Sequence, residues 1–190
     1  MGNFVEFGKT DSFEEISYLA KQEDFSKRSM RELLLNQRFT RIVVGLYNVL
    51  HDVDGFMDAE VFMKYHPLLE DAVEKIKKHY GYKHIQFQSL VLVKLEANKI
   101  IDTHIDSGGI YDIAHRIHIP ITTNEDCKFI VGGESRHFKE GEVFELNNMV
   151  EHSVVNGDSD RIHLVFDIIG LRETYNENLL DTKVPDDFYL

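Results

Sequence analysis

The chain of 190 residues carries 21 Lys and Arg against 33 Asp and Glu, a formal net charge of −12, and 43% of it is hydrophobic. That apolar share fits a single globular domain and excludes a largely disordered chain. The acidic excess repels phosphate backbones and acidic membrane surfaces, and the basic residues are scattered, so neither nucleic acid nor a membrane is an expected partner.

Cys127 is the single cysteine. It cannot close an intrachain disulfide or build a multi-thiolate metal site, and residues 1–10 lack the basic start and apolar stretch of a secretory signal, so a reducing cytoplasm is the expected compartment. Gly2 does not open a myristoylation motif, because Glu6 stands where the motif needs Ser or Thr. The longest apolar run, 42–50, is interrupted by Gly45, Tyr47 and Asn48 and falls well short of the ~20 residues that span a bilayer.

In chain order, the first part is predominantly helical. Ser12 precedes Phe13, Ile16, Leu19 and Ala20 at helical spacing, with Glu15 three residues on, the pattern of a capping box. A second helix starts after Pro67, runs through Leu68, Leu69, Ala72, Val73 and Ile76, and ends at Lys77, Lys78 and Gly81. Residues 30–50 between them suit helix, strand or both in turn.

From about residue 86 the period changes to alternation, with short β runs separated by Gly, Asn and Asp clusters. The predicted strands are 87–95, 101–105, 115–121, 128–131, 136–138, 143–146, 152–155 and 162–168. Eight such strands predict a jelly roll, mainly β with supporting helices. The chain is therefore expected to be one domain, 1–190, with 1–85 as helical support, 86–170 as the jelly-roll core and 171–190 as a polar, mobile tail. Gly132-Gly133 predicts a hairpin turn, and residues 107–115 a loop over the mouth of a pocket.

The chemistry gathers in the β part. Residues two apart on a strand point to the same side, so His104 and Asp106 present an imidazole and a carboxylate together. His152 begins another strand, and two histidines with one carboxylate match the facial triad of non-haem Fe(II) oxygenases, which leaves three positions open for co-substrate and dioxygen. The His-x-Asp pair alone is a weak signal among ten histidines.

Two further strands strengthen it. Arg116 and His118 share one side of their strand, with Ile117, Ile119 and Ile121 on the other, and Arg161, Ile162, His163, Leu164, Val165 and Phe166 repeat the arrangement. A guanidinium inside a barrel is the natural bidentate partner of a carboxylate. Arg161 follows His152 closely enough for the next strand to carry it beside the metal.

These segments, taken in order as His104-Ile105-Asp106, Arg116-Ile117-His118-Ile119-Pro120, Gly141-Glu142-Val143-Phe144, His152-Ser153-Val154-Val155-Asn156 and Arg161 to Asp167, resemble the aspartyl/asparaginyl β-hydroxylase family of 2-oxoglutarate-dependent oxygenases. The resemblance covers about residues 90–170. It implies a double-stranded β-helix in which His104 and His152 are iron ligands and Arg161 meets the distal carboxylate of 2-oxoglutarate. It further implies that His118 lies near the other carboxylate and Arg116 near co-substrate or substrate. Members known from animals have glycine where this chain has Asp106, so a complete triad of His104, Asp106 and His152 resembles the wider oxygenase pattern and the related free-proline hydroxylases.

The activity so implied is a dioxygenase that uses Fe(II), 2-oxoglutarate and dioxygen to hydroxylate an amino-acid side chain, free or peptidyl, Asp/Asn-like or Pro-like, releasing succinate and carbon dioxide. Two alternatives belong to other classes: a cupin-like protein that binds a metal or small molecule without oxidation, and a metal-free interaction domain with structural histidines. Arg161 discriminates among them, since a metal-only site has no need of a buried guanidinium. The partner expected is a small molecule or peptide, and a symmetric homodimer is the default assembly.

Overall fold

The computed structural model describes residues 2–26, 40–47, 56–106 and 109–172. The polar tail predicted for 171–190 falls almost wholly outside them, as do 30–39 and 48–50 of the stretch left open between helix and strand.

Among the described residues the strands form two antiparallel sheets. The larger contains β1 (Phe4–Lys9), β2 (Thr40–Tyr47), β3 (Phe56–Met57), β4 (His84–Leu95), β6 (His115–Thr122), β9 (Glu142–Leu146) and β11 (Arg161–Leu171), in the order β1-β9-β6-β11-β4-β2-β3. The smaller contains β5 (Ile100–His104), β7 (Lys128–Val131), β8 (Glu134–Arg136) and β10 (His152–Val155), in the order β5-β10-β7-β8. Helices α1 (Phe13–Ala20), α2 (Ala59–Tyr65) and α3 (Glu70–Tyr80) accompany them, with a 3-10 turn over His66–Leu69 leading into α3.

Alternation along β6 and β11 produces two cores. Ile117, Ile119, Ile121, Leu164, Phe166 and Ile168 pack with Ile16, Ala20, Leu69, Ala72 and Ile76 of the helical layer. On the opposite face of the large sheet, Leu95, Phe144 and Leu146 meet Phe129, Val131 and Val154 of the small sheet. The helices thus support one sheet while the site lies between the two, which is the layering of a double-stranded β-helix.

Local chemistry explains most boundaries. Glu70 and Asp71 lead α3, Lys77, Lys78 and His79 close it, and Gly81 ends it at φ 72°, a conformation glycine adopts without steric cost. Gly132 and Gly133, at φ 54° and 83°, make the two-residue turn that pairs Val131 with Glu134. That turn places β8 at Glu134–Arg136 and not at the predicted 136–138. Phe138 instead leaves the strand and stacks on Phe144, ring centroids 3.6 Å apart.

Two differences concern the first part of the chain. Ser12 precedes α1 as predicted, but at φ −88° and ψ 13° it lacks the extended backbone of an N-cap, and its side chain makes no capping bond. Asp58 does cap α2, accepting from the N–H groups of Glu60 and Val61. The region is also less helical than its periodicity suggests, since β1, β2 and β3 lie within it. Among the described residues, no helix is long and apolar enough to cross a membrane.

Candidate active site

Register brings the first two histidines together. His152 on β10 pairs directly with His104 on β5, so both side chains leave the same face of the small sheet, ring centroids 4.2 Å apart. Asp106 follows just beyond the end of β5, where its N–H donates to the carbonyl of Asn148 at 3.0 Å. Ligand atoms of His104, Asp106 and His152 lie within 4.8 Å of one another.

The tautomers follow from the backbone. Nδ1 of His104 lies 2.7 Å from the carbonyl of Asp102, and Nδ1 of His152 lies 2.9 Å from that of Val150. A carbonyl accepts only, so each Nδ1 carries the hydrogen and it is Nε2 that each ring turns inward, the atom that can offer its lone pair to a metal. Those Nε2 atoms stand 3.7 Å from Oδ1 and Oδ2 of Asp106 respectively. Burial works to raise the Asp106 carboxyl, but His152, Arg116 and His104 around it outweigh burial and hold it below the usual carboxylate range. Two imidazole lone pairs and one carboxylate suit a divalent transition metal with open positions.

Between the sheets lies a second polar cluster with the opposite character. Arg161, the first residue of β11, is 2% exposed, and its Nε and Nη1 have no hydrogen-bond partner among the described residues. Its guanidinium lies over the ring of Phe129, 5.2 Å from the centroid, and burial draws its pKa down to about 10. His118 and His163 are buried beside it with both ring nitrogens of each unpartnered. Burial first, then the charge of Arg161, pushes both imidazoles well below their ordinary range, so they stand neutral at physiological pH. His118 stacks on Phe144 at 5.2 Å and lies 5.8 Å from His163. A desolvated cation without a counter-ion is unfavourable by several kcal/mol at about this depth. Orphaned donors around it are chemically suited to an anion.

The model of the family described as Aspartyl/Asparaginyl beta-hydroxylase matches residues 58–170, more than half of the chain. The chain belongs to this family. As a member it is a 2-oxoglutarate-dependent, non-haem Fe(II) dioxygenase of the hydroxylating kind. The match begins well upstream of the 90–170 segment that carried the resemblance, and so takes in α2 and α3. No curated protein matches the sequence.

Solved structures share the hydroxylase's fold at low identity. An oxidoreductase of the 2OG-Fe(II) oxygenase family from Burkholderia pseudomallei has a TM-score of 0.65 at 13% identity, covering 91% of this chain and 89% of its own. The viral collagen prolyl hydroxylase of Paramecium bursaria Chlorella virus-1 has 0.56 at 12%, covering 90% and 97%. HygX from Streptomyces hygroscopicus, solved with nickel, 2-oxoglutarate and hygromycin B bound, has 0.58 at 11%, covering 89% and 83%.

The hydroxylase's residues fit the groups its family uses. Inward-turned Nε2 atoms and an ionised carboxylate suit Fe(II), and a buried guanidinium with unpartnered imidazoles suits a dicarboxylate. Arg116 has a different setting, since its Nε and Nη2 donate to Asp167 at 2.8 and 3.1 Å, and its Nη1 donates to Asp106 Oδ2. Asp167 and Asp106 outweigh the burial that works against its charge and hold the guanidinium protonated.

The sequence reading includes His163 and Asp167 in the patterned strand without giving either a role, and it passes over Ser89 and Asn148. His163 and Asp167 share the parity of Arg161 on β11, a signal present in the alternation. Ser89 and Asn148 carry no signal in the sequence, since a serine in a strand and an asparagine in a loop are commonplace. Asn148 fastens the rim, accepting from Asp106 N–H through its carbonyl and donating from Nδ2 to the carbonyl of Tyr111 at 2.9 Å.

Proposed function

We propose that the enzyme hydroxylates an amino-acid side chain, free or within a peptide, at a site where His104, Asp106 and His152 hold Fe(II). In this reading Arg161 grips the distal carboxylate of 2-oxoglutarate, and His118 lies by the carboxylate nearer the metal. The observation that carries the reading is a buried Arg161 guanidinium with Nε and Nη1 unpartnered, in a protein whose His104, Asp106 and His152 ligand atoms gather within 4.8 Å of one another.

The protein's part in the reaction is geometric and electrostatic. Bound iron, with 2-oxoglutarate and dioxygen, supplies the oxidising power and releases succinate and carbon dioxide. The backbone carbonyls of Asp102 and Val150 fix which nitrogen of each histidine faces inward. Arg161 offers a fork of donors to a carboxylate without first breaking another bond, and neutral His118 can add an N–H without competing for a proton. Phe129 and Phe144 keep water away from the fork, which strengthens the charge pairing.

The family description favours an aspartyl or asparaginyl side chain, and Asp106 favours a proline-like substrate as the second choice. The reading further takes the chain as a single cytoplasmic domain, with the helical layer as support, acting on a small molecule or peptide as a symmetric dimer. The test is to incubate the enzyme with Fe(II), 2-oxoglutarate and panels of free amino acids and peptides, following succinate and the gain of one oxygen atom in the product. Succinate coupled to an oxygenated aspartyl, asparaginyl or prolyl product supports the reading. Succinate formed only with a substrate that is not an amino acid overturns it.

A further inference from the structure

A charged row on the inner face of the large sheet belongs to neither the triad nor the cluster around Arg161. Ser89 on β4, Asp167 on β11 and Arg116 on β6 are register partners across three neighbouring strands. Ser89 Oγ donates to Asp167 Oδ2 at 2.5 Å, Arg116 donates to both oxygens of Asp167, and its remaining nitrogen donates to Asp106. Asp167 is 1% exposed, and the ring of Tyr111 covers the guanidinium at 4.9 Å.

Such a pair is poor value as a stabiliser. Well-packed apolar residues in place of a buried ion pair are often neutral or better by about 1–4 kcal/mol, and the neighbouring Val91 and Val165 show that this face accepts them. Its placement gives it another role. His104, Asp106 and His152 all belong to the small sheet or the chain leaving it, and Asp106 lies beyond the last residue of β5, where the strand no longer sets its side-chain direction. The row reaches that carboxylate from the opposite sheet.

We propose that Asp167 and Ser89, acting through Arg116, are positioning residues for Asp106. The clamp ties Oδ2 of Asp106 to the large sheet and leaves Oδ1 facing His104 for the metal. This rests on the reading that the triad holds the metal. Both edges of the Arg116 guanidinium are then committed to carboxylates, so it is not the residue that grips an acidic substrate.

The test measures Mn(II) binding to the full chain without 2-oxoglutarate, from the electron paramagnetic resonance signal of free Mn(II), for Arg116→Met, Asp167→Asn and the double variant. Each single change leaves a buried charge short of a partner and lowers the melting temperature; the double removes both members of the Arg116–Asp167 pair and restores most of the loss, Asp106 alone lacking its former partner. Net charge is also unchanged in the double. Lost positioning nevertheless weakens Mn(II) binding by about 10–100-fold in the double and no further than in Arg116→Met alone. If the singles do not fold, the double and Ser89→Ala decide, the latter with a smaller loss in the same direction. A folded double variant with wild-type affinity, or single effects that add, overturns the proposal. His152→Ala separates the two readings: if it leaves Mn(II) bound the triad assignment fails, whereas if it abolishes binding while the double variant keeps it, only the clamp fails.

Discussion

On β6 and β11, adjacent residues face two interiors built on opposite rules. Toward the helices, Ile117, Ile119, Ile121, Leu164, Phe166 and Ile168 are all fully buried and meet only apolar partners in one continuous core. Toward the small sheet, His118, Arg161, His163 and Asp167 are also buried, yet both ring nitrogens of His118 and of His163, and Nε and Nη1 of Arg161, have no hydrogen-bond partner among the described residues. The helix side is satisfied without any ligand, whereas the site side is complete only with one. Two residues on one strand, a single position apart, therefore contribute to different properties.

That contrast can be broken from the helix side first. Phe166→Ala is expected to destabilise the fold by about 3–5 kcal/mol in a denaturant titration, because it opens a cavity in the apolar layer. Metal and 2-oxoglutarate affinities of the folded fraction should stay at wild-type values. The reverse pattern is expected of Arg161→Met, which should weaken 2-oxoglutarate binding by about 2–5 kcal/mol in calorimetry while leaving the melting temperature of the ligand-free protein unchanged or raised. A ligand-free protein that unfolds on losing Arg161 would mean the guanidinium has a structural partner.

A pH series sharpens the same point. Arg161 is protonated below about 10 in the folded protein, so 2-oxoglutarate affinity should hold level from neutral pH and fall as pH rises through that value. Stability moves the opposite way, since the unfolded group keeps its proton to higher pH and the penalty for burying the charge eases above the folded value. Both trends should vanish in Arg161→Met. Smallest of all is the effect of helix caps: Asp58→Ala should cost about 1 kcal/mol and Ser12→Ala no more than about 0.5, because only Asp58 makes capping bonds.

The sequence exposed the site more fully than the scaffold around it. Alternation has a period of two, and in the sequence alone it separates Arg116 and His118 from their isoleucine neighbours. Strands 128–131 and 152–155 coincide with β7 and β10, and most other predicted strands differ only at their ends. β1 was not predicted because Phe4–Lys9 is a half-exposed edge strand with Gly8 near its end, which blurs alternation. Strand β2 emerges from a stretch whose apolar run suits helix and strand equally. The clamp was invisible for a different reason: it depends on which residue of one strand lies opposite which residue of another, and only register supplies that.

The central claim is tested most directly by titrating the metal-free protein anaerobically with Fe(II) and then 2-oxoglutarate, watching for the visible metal-to-ligand charge-transfer band. Our account predicts a band that appears only when both are present, is absent in His152→Ala, and needs far more 2-oxoglutarate in Arg161→Met. Iron binding without a band, or a band indifferent to His152, would contradict it.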